Sequence, residues 1–306
     1  MKEIKSWQET LTTGWARHPL WAFERHGSAH EMDCYYITDA EEAWTIRVSI
    51  LETGQLSEYR ISFHDRKTGE TLEKTMQRHF HQSRYTLNET SGSDESVHFS
   101  CDDIRMAFIR KDSRRNLLFC APDLVFPGKG KGLDARFILS QPDDLESLCT
   151  MRVRRNSRHS FLYERRLNCM SAEGTLRLGD VTYELKGRSS LTAELLSIRG
   201  HLPQKNPRLC LSCCTYTDGR ITGLDLTAGG ESAVVIGNRI HKLGAVKEEN
   251  RRFTTSDGKL DIAFESTYRP EDRRDTAYGW CSGKLVLGDG TEVTVPRTPA
   301  FIVPGR

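Results

Sequence analysis

A chain of 306 residues is long enough for one large domain or two ordinary ones. With 28% charged and 37% hydrophobic residues it reads as soluble and globular, and a net charge of +2 predicts neither nucleic-acid nor membrane-surface binding. No run approaches the roughly 20 apolar residues of a membrane helix, Met1–Ser6 leads into no apolar signal segment, and nine scattered cysteines read as reduced thiols of a cytoplasmic protein.

The first 30 residues are rich in aromatic rings and histidine: Trp7, Trp15, Trp21 and Phe23 with His18, His26 and His30. Pro19 excludes a long helix there. The segment reads as an extended arm that packs its tryptophans on a sheet, with an aromatic lid over a pocket as the alternative. Trp44, Ile46, Val48 and Ile50 then alternate with Thr45, Arg47 and Ser49, the pattern of a half-buried strand. Tyr59, Ile61 and Phe63 repeat it, residues 65–69 turn the chain, and 70–79 return. Residues 85–96 read as a loop. Strands follow around Val97–Cys101, Ile104–Phe108, Asn116–Phe119 and Leu133–Leu139. Pro127–Gly132 is glycine-rich and basic but lacks GxxxxGK[ST], so it reads as a loop. Pro142–Leu148 reads as one helical turn.

Glu164–Leu185 is the pivot of the chain. Thr175–Leu178 and Val181–Leu185 alternate on either side of Gly179-Asp180, the signal of a tight hairpin with a primed turn. Met170–Gly174 before it reads as a turn. Ser189–Arg199 is the one helix candidate, with Ser189 or Ser190 as cap and Gly200 as stop. Strands with crisp turns resume at Asp218-Gly219, Gly237-Asn238, Asp257-Gly258 and Asp289-Gly290. Short strands with regular turn signals argue for an all-β fold. We expect two antiparallel β-barrel or β-sandwich domains in tandem with little helix, covering residues 1–155 and 156–306.

Several stretches, taken in order, resemble one uncharacterised family, that of domain of unknown function 2804. They are Gly14–Leu20, Tyr35–Ile37, Leu167–Thr175, His241–Leu243, Phe253–Gly258, Gly279–Gly283 and Asp289–Thr291. The resemblance implies a two-domain lipocalin-like fold and, more distantly, kinship with carotenoid hydratases and survival-factor lipid carriers. It also exposes departures. The family's Asp-Trp-Gly-Arg-Gly run is here Leu196–Gly200, and Arg208 and Cys210 stand where two tryptophans would fall. Arg199, Gly200 and Pro203 carry over, and the resemblance makes them the expected ligand-binding segment; from its chemistry alone Arg199 reads first as an ion pair or a cap on backbone carbonyls. The family's acidic cluster appears as Glu231–Val235.

No motif assigns a reaction. Cys210-Leu211-Ser212-Cys213-Cys214 contains one CxxC without a second pair, and His79-Phe80-His81 offers two imidazoles without a third ligand, so neither metal nor cofactor is expected. Arg152, Arg154, Arg155 and Arg158 form a basic cluster, read as a solvated face with an anion site as the alternative. Glu194, Tyr216 and Asp225 are the candidates for acid–base chemistry. Three functions fit: a binding protein for a lipid or isoprenoid-like apolar molecule, which the replaced family motif favours; a hydratase, lyase or cyclase on an apolar substrate; and a regulatory or structural remnant without an open cavity. A pocket lined by a carboxylate and a polar partner favours the enzyme over the carrier.

Overall fold

The computed structural model describes residues 1–21, 30–53, 55–79, 95–154, 160–200, 209–217, 220–268 and 276–304. Among them there is no helix, and all sheet pairings are antiparallel. The first sheet holds β1 (Gly14–Ala16), β2 (His30–Asp39), β3 (Trp44–Glu52), β4 (Leu56–Asp65), β5 (Thr71–His79), β6 (Glu95–Ser100), β7 (Arg105–Lys111), β8 (Arg114–Phe126), β9 (Gly130–Ser140), β10 (Leu148–Val153), β11 (Phe161–Leu178), β12 (Val181–Leu185) and β13 (Leu191–Gly200). Its main path runs β5-β4-β3-β2-β13-β11-β9-β8-β7-β6, with β10 and β12 also on β11 and β1 on β10. The second sheet holds β14 (Leu209–Thr217), β15 (Arg220–Thr227), β16 (Ala233–Ile236), β17 (Arg239–Lys242), β18 (Val246–Glu249), β19 (Arg252–Thr255), β20 (Leu260–Tyr268), β21 (Ala277–Val286) and β22 (Glu292–Pro304). Its order is β17-β16-β15-β14-β22-β21-β20-β19-β18.

Both sheets curl. In the first, the Tyr59 ring stacks on Phe99 at 3.4 Å, bringing β4 against β6 at the far end of the path. Its interior is filled by side chains such as Ile37, Ile46, Ile61, Phe63, Phe137 and Leu139. In the second, Ala228 bridges to Val246 and draws β18 toward β15.

The alternation on β3 is present, but its polar face is not solvated. Thr45, Arg47, Ser49, Ser62 and His64 are all buried, because the second sheet covers them. Buried polar groups need partners, and several find them across the junction, though among the described residues Arg47 Nε and Arg66 Nη1 stay unpaired. Arg66 Nε donates to the Gly279 carbonyl at 2.9 Å, and Arg47 donates to Thr276 at 3.3 Å. The His64 ring lies between Thr71 at 2.8 Å and Thr267 at 3.1 Å. Burial, aided by the Arg66 charge, holds that imidazole down to about 3, so it stays neutral. Tyr36 of β2 stacks on Phe301 of β22 at 3.9 Å.

One bulge sets how the sheets meet. The pairing of β11 with β13 slips between Leu167 and Met170, and Cys169 takes a positive φ of 65°. A bulge re-aims its side chains. Asn168 accepts from the Cys169 amide at 2.7 Å and donates to the carbonyls of Cys213 at 3.1 Å and Leu224 at 3.2 Å. Gly223 of β15 lies directly on it: a Cβ there would stand 2.5 Å from Cys169 Sγ. The close approach of the two sheets therefore depends on a residue without a side chain.

Four sequence expectations change. Ser189–Arg199 is no helix: residues 191–200 form β13, paired on both sides by β2 and β11. A strand buried on both faces loses its polar alternation, which is why it mimics a helix. Met170–Gly174 is no turn but the middle of β11, where Gly174 lets Arg136 O of β9 come close. Pro142–Leu148 is a turn leading into β10. The change of sheet falls between Gly200 and Leu209, whereas the boundary expected at 155 falls inside the first sheet, since β10 pairs with β11 across it. The hairpin at Gly179-Asp180 forms with Leu178 opposite Val181.

Asn168→Ala removes two bonds to second-sheet carbonyls at the junction. We expect a loss of about 1–3 kcal/mol in urea unfolding; an unchanged midpoint contradicts the role given to the bulge.

Candidate functional site

The junction has one cleft with opposed titratable groups. From the first sheet, Glu194 of β13 stands opposite Tyr36 of β2 in register. From the second, Ser212 of β14 stands opposite Asp225 of β15. Arg166 of β11, two residues before the bulge, closes one side. Leu196, Phe301 and Val303 supply an apolar wall. The cleft has about 30 Å³ of space open to water, room for a single water molecule; a larger occupant must come in by its open side and displace the wall.

Ser212 joins the two carboxyls. Its Oγ is hydrogen-bonded to Glu194 Oε2 and, at 3.1 Å, to Asp225 Oδ1. Asn168 Nδ2 donates to the same Oγ at 3.4 Å, and the Leu224 carbonyl lies 3.2 Å away. Asp225 Oδ2 is buried with no hydrogen-bond partner. Arg166 donates to Thr227 Oγ1 at 2.6 Å and to Cys210 Sγ, and its Nε donates to Glu164 at 2.5 Å.

Electrostatics divide the two acids. Burial, then the Asp225 charge, push the Glu194 carboxyl up to about 8; Ser212 and Arg66 pull against this rise. Burial also raises Asp225, but the Arg166 guanidinium opposes it. Two neighbouring buried carboxyls do not both ionise readily. The negative charge therefore belongs on Asp225, beside Arg166, and the proton on Glu194. Burial lifts the Cys210 thiol to about 12, so it is not a thiolate at neutral pH.

Of the residues singled out in the sequence, Glu194 and Asp225 meet here across Ser212. Tyr216 is half exposed on β14 and lines no part of the cleft. Arg199 is buried on the other face of β13 from Glu194. Its fork takes Asp33 with both bonds at 3.0 Å and the carbonyls of Met32 and Ile198 at 2.9 Å. It is not among the cleft-lining residues. Gly200 ends β13 against Phe161 O, where a Cβ would stand only 2.2 Å away. Pro203 lies outside the described residues, as do His81, Arg155 and Arg158. Sequence reasoning missed Ser212, Arg166, Tyr36 and Asn168. The signal for two of them was Arg165-Arg166 and Asn168 set among Phe161, Leu162, Tyr163, Leu167 and Met170 in the buried first half of β11, where charged groups need polar partners.

A wider open groove of about 770 Å³ lies elsewhere, lined by residues including Trp15, Arg152, Glu231 and Lys242. Glu231 is held by Lys242 at 2.6 Å, and the groove offers no pair of acids with opposed proton affinities. The smaller cleft is therefore the candidate site.

A family model described as a domain of unknown function (DUF2804) matches residues 8–302. No curated protein matches the sequence. Among solved structures, the AttH-like protein of Nitrosomonas europaea is similar at 12% identity and TM-score 0.54, over 94% of this chain and 98% of that one. CghA, solved with Sch210972, is similar at 11% identity and TM-score 0.54, over 91% and 89%. Kievitone hydratase from Nectria haematococca is similar at 11% identity and TM-score 0.47, over 91% and 89%. The first two likenesses establish the fold, two lipocalin-like half-barrel sheets in tandem.

Glu194 gives stability a pH signature. An unfolded Glu titrates near 4.5 and the folded one near 8, so the folded state holds the extra proton between those values. Its contribution is full below about pH 4.5 and is lost as pH rises toward 8. Glu194→Gln should remove that slope and gain at least about 1 kcal/mol on the native protein at pH 9. Parallel stability curves from pH 5 to 9 contradict the assignment. Arg199→Ala should cost about 3–5 kcal/mol, the penalty for stranding a buried partner, here Asp33, without changing the pH slope. A full melt near the native temperature contradicts that role.

Proposed function

The chain belongs to the family of domain of unknown function 2804, and from that premise we propose that it is an acid–base enzyme of the hydratase or lyase type. Its substrate is a small, largely apolar alkene or the corresponding alcohol, held in the cleft between the sheets. The observation that carries this reading is the Glu194–Ser212–Asp225 row: two buried carboxyls joined by one hydroxyl and facing an apolar wall. Glu194, protonated up to about pH 8, donates its proton to an alkene carbon or to a departing hydroxyl. Asp225 stabilises the positive charge that develops. Proton donation of this kind contributes roughly 100- to 10,000-fold to a rate.

The replaced family run does not bear on these acids. Leu196 of that run lies in the apolar wall, while Glu194 and Asp225 lie outside it. Carriage of an apolar ligand is the second reading, favoured by the Leu196–Phe301–Val303 wall. Against it, the first sheet's interior is filled and the cleft is lined by two carboxyls.

Incubation with a size series of alkenes and alcohols, from short-chain upward, in oxygen-18 water, followed by mass spectrometry, tests the proposal. The expected product is a labelled alcohol from an alkene, or an alkene from an alcohol, with activity falling above about pH 8. Glu194→Gln and Asp225→Asn should each slow conversion by about 100-fold or more. A compound that is retained but unchanged, equally by native protein and both variants, supports the carrier and overturns the enzyme.

A further inference from the structure

Ser212 has one proton to give and two carboxyls to serve. With Glu194 protonated, the Glu194 O–H donates to Ser212 Oγ, and the Ser212 hydroxyl donates to Asp225 Oδ1. Asn168 Nδ2, which carries donors only, also donates to Oγ and leaves the hydroxyl hydrogen to Asp225 Oδ1 at 3.1 Å or the Leu224 carbonyl at 3.2 Å, of which the charged carboxylate is the stronger acceptor. The row therefore has a direction, from Glu194 to Asp225. It also has a mirror arrangement, in which Asp225 is protonated, Glu194 is ionised, and both bonds reverse. Among the described residues, Ser212 is the group hydrogen-bonded to both acids. The free Asp225 Oδ2 leaves one buried acceptor in the cleft wall.

We propose that Ser212 is a proton relay that resets the two carboxyls after each addition of water to the substrate or its removal. The inference rests on the acid–base reading of the same site. In hydration, Glu194 gives its proton to one alkene carbon, so a C–H bond forms and the π bond breaks. Water attacks the other carbon, so a C–O bond forms. Asp225 Oδ2 takes the proton that this water loses. Glu194 is then ionised and Asp225 neutral. A half-turn of the Asp225 carboxyl brings that proton to the oxygen facing Ser212, the Ser212 hydroxyl turns to Glu194, and Asp225 passes the proton to Ser212 Oγ as Ser212 passes its own to Glu194, which restores the starting state. Atoms and charge balance with water as the co-reactant, and no proton is exchanged with bulk solvent. Removal of water runs the same steps backward. Arg166, itself paired with Glu164, returns the charge to Asp225. Arg66 stabilises the transient Glu194 carboxylate from the first sheet. Tyr36 and Cys210, the other titratable groups at the cleft, are both neutral at pH 7 because burial raises them.

The test compares Ser212→Ala with Ser212→Thr, which keeps a hydroxyl. In rapid-quench experiments Ser212→Ala should show a first turnover followed by later ones about 10- to 100-fold slower than that first one; Ser212→Thr should bring the later turnovers back level with the first. In the ligand-free protein, infrared titration follows the protonated Glu194 carboxyl, its band identified by its loss in Glu194→Gln. That titration should move to higher pH in Ser212→Ala, since the hydroxyl lowers it in the native protein, and return in Ser212→Thr. Steady native turnover in Ser212→Ala overturns the relay. So does a Glu194 titration unmoved by Ser212→Ala, and this second readout decides the matter even if native protein converts no alkene or alcohol, a result that removes the enzymatic reading on its own.

Discussion

Two curled sheets that bury polar faces against each other must find partners for most of the groups they cover, and the rest of this molecule follows from that demand. An apolar junction could slide; a junction of Arg47, His64, Arg66, Tyr36 and Glu194 cannot, because each unmatched donor or acceptor is costly. Asn168 fixes the register. It sits on a bulge, reaches across to two carbonyls of the second sheet, and presses against a glycine that leaves it room. The same side chain touches Ser212. The element that docks the sheets thus also orients the hydroxyl between the acids.

The chemistry of the cleft grows from the same constraint. Burial favours the neutral form of a carboxyl, and the junction buries two. A guanidinium near one of them breaks the symmetry and leaves a proton on the other. Neither a cofactor motif nor a familiar spacing announces this. The arrangement comes from β13 and β15, which lie in different sheets and meet only when the sheets dock.

Much of the fold was legible in the chain. The alternation of Trp44 to Ile50, the Gly179-Asp180 hairpin and the turns at Gly237-Asn238, Asp257-Gly258 and Asp289-Gly290 all report the two-residue period of strands. What escaped has physical causes. β13 is covered on both faces, so Leu191–Gly200 lost its alternation and resembled a helix. Alternation tells which face is polar, not whether that face meets water, so the polar side of β3 read as solvated. The sheet boundary after Gly200 was hidden because β11 reaches back to strands on both sides of the expected one. Glu194 and Asp225 could be named as acids from their residue types. Their meeting, and the serine between them in a run of cysteines, depended on long-range docking that local sequence does not encode.

The central claim is that one proton rests on Glu194 and a negative charge on Asp225, with Ser212 pointing from the first to the second. Neutron diffraction from crystals near pH 7 reads this directly. The account predicts a deuteron on Glu194 bound toward Ser212 Oγ, the serine deuteron directed at Asp225 Oδ1, and none on Asp225. A deuteron on Asp225 with Glu194 bare, or two bare carboxylates, contradicts it.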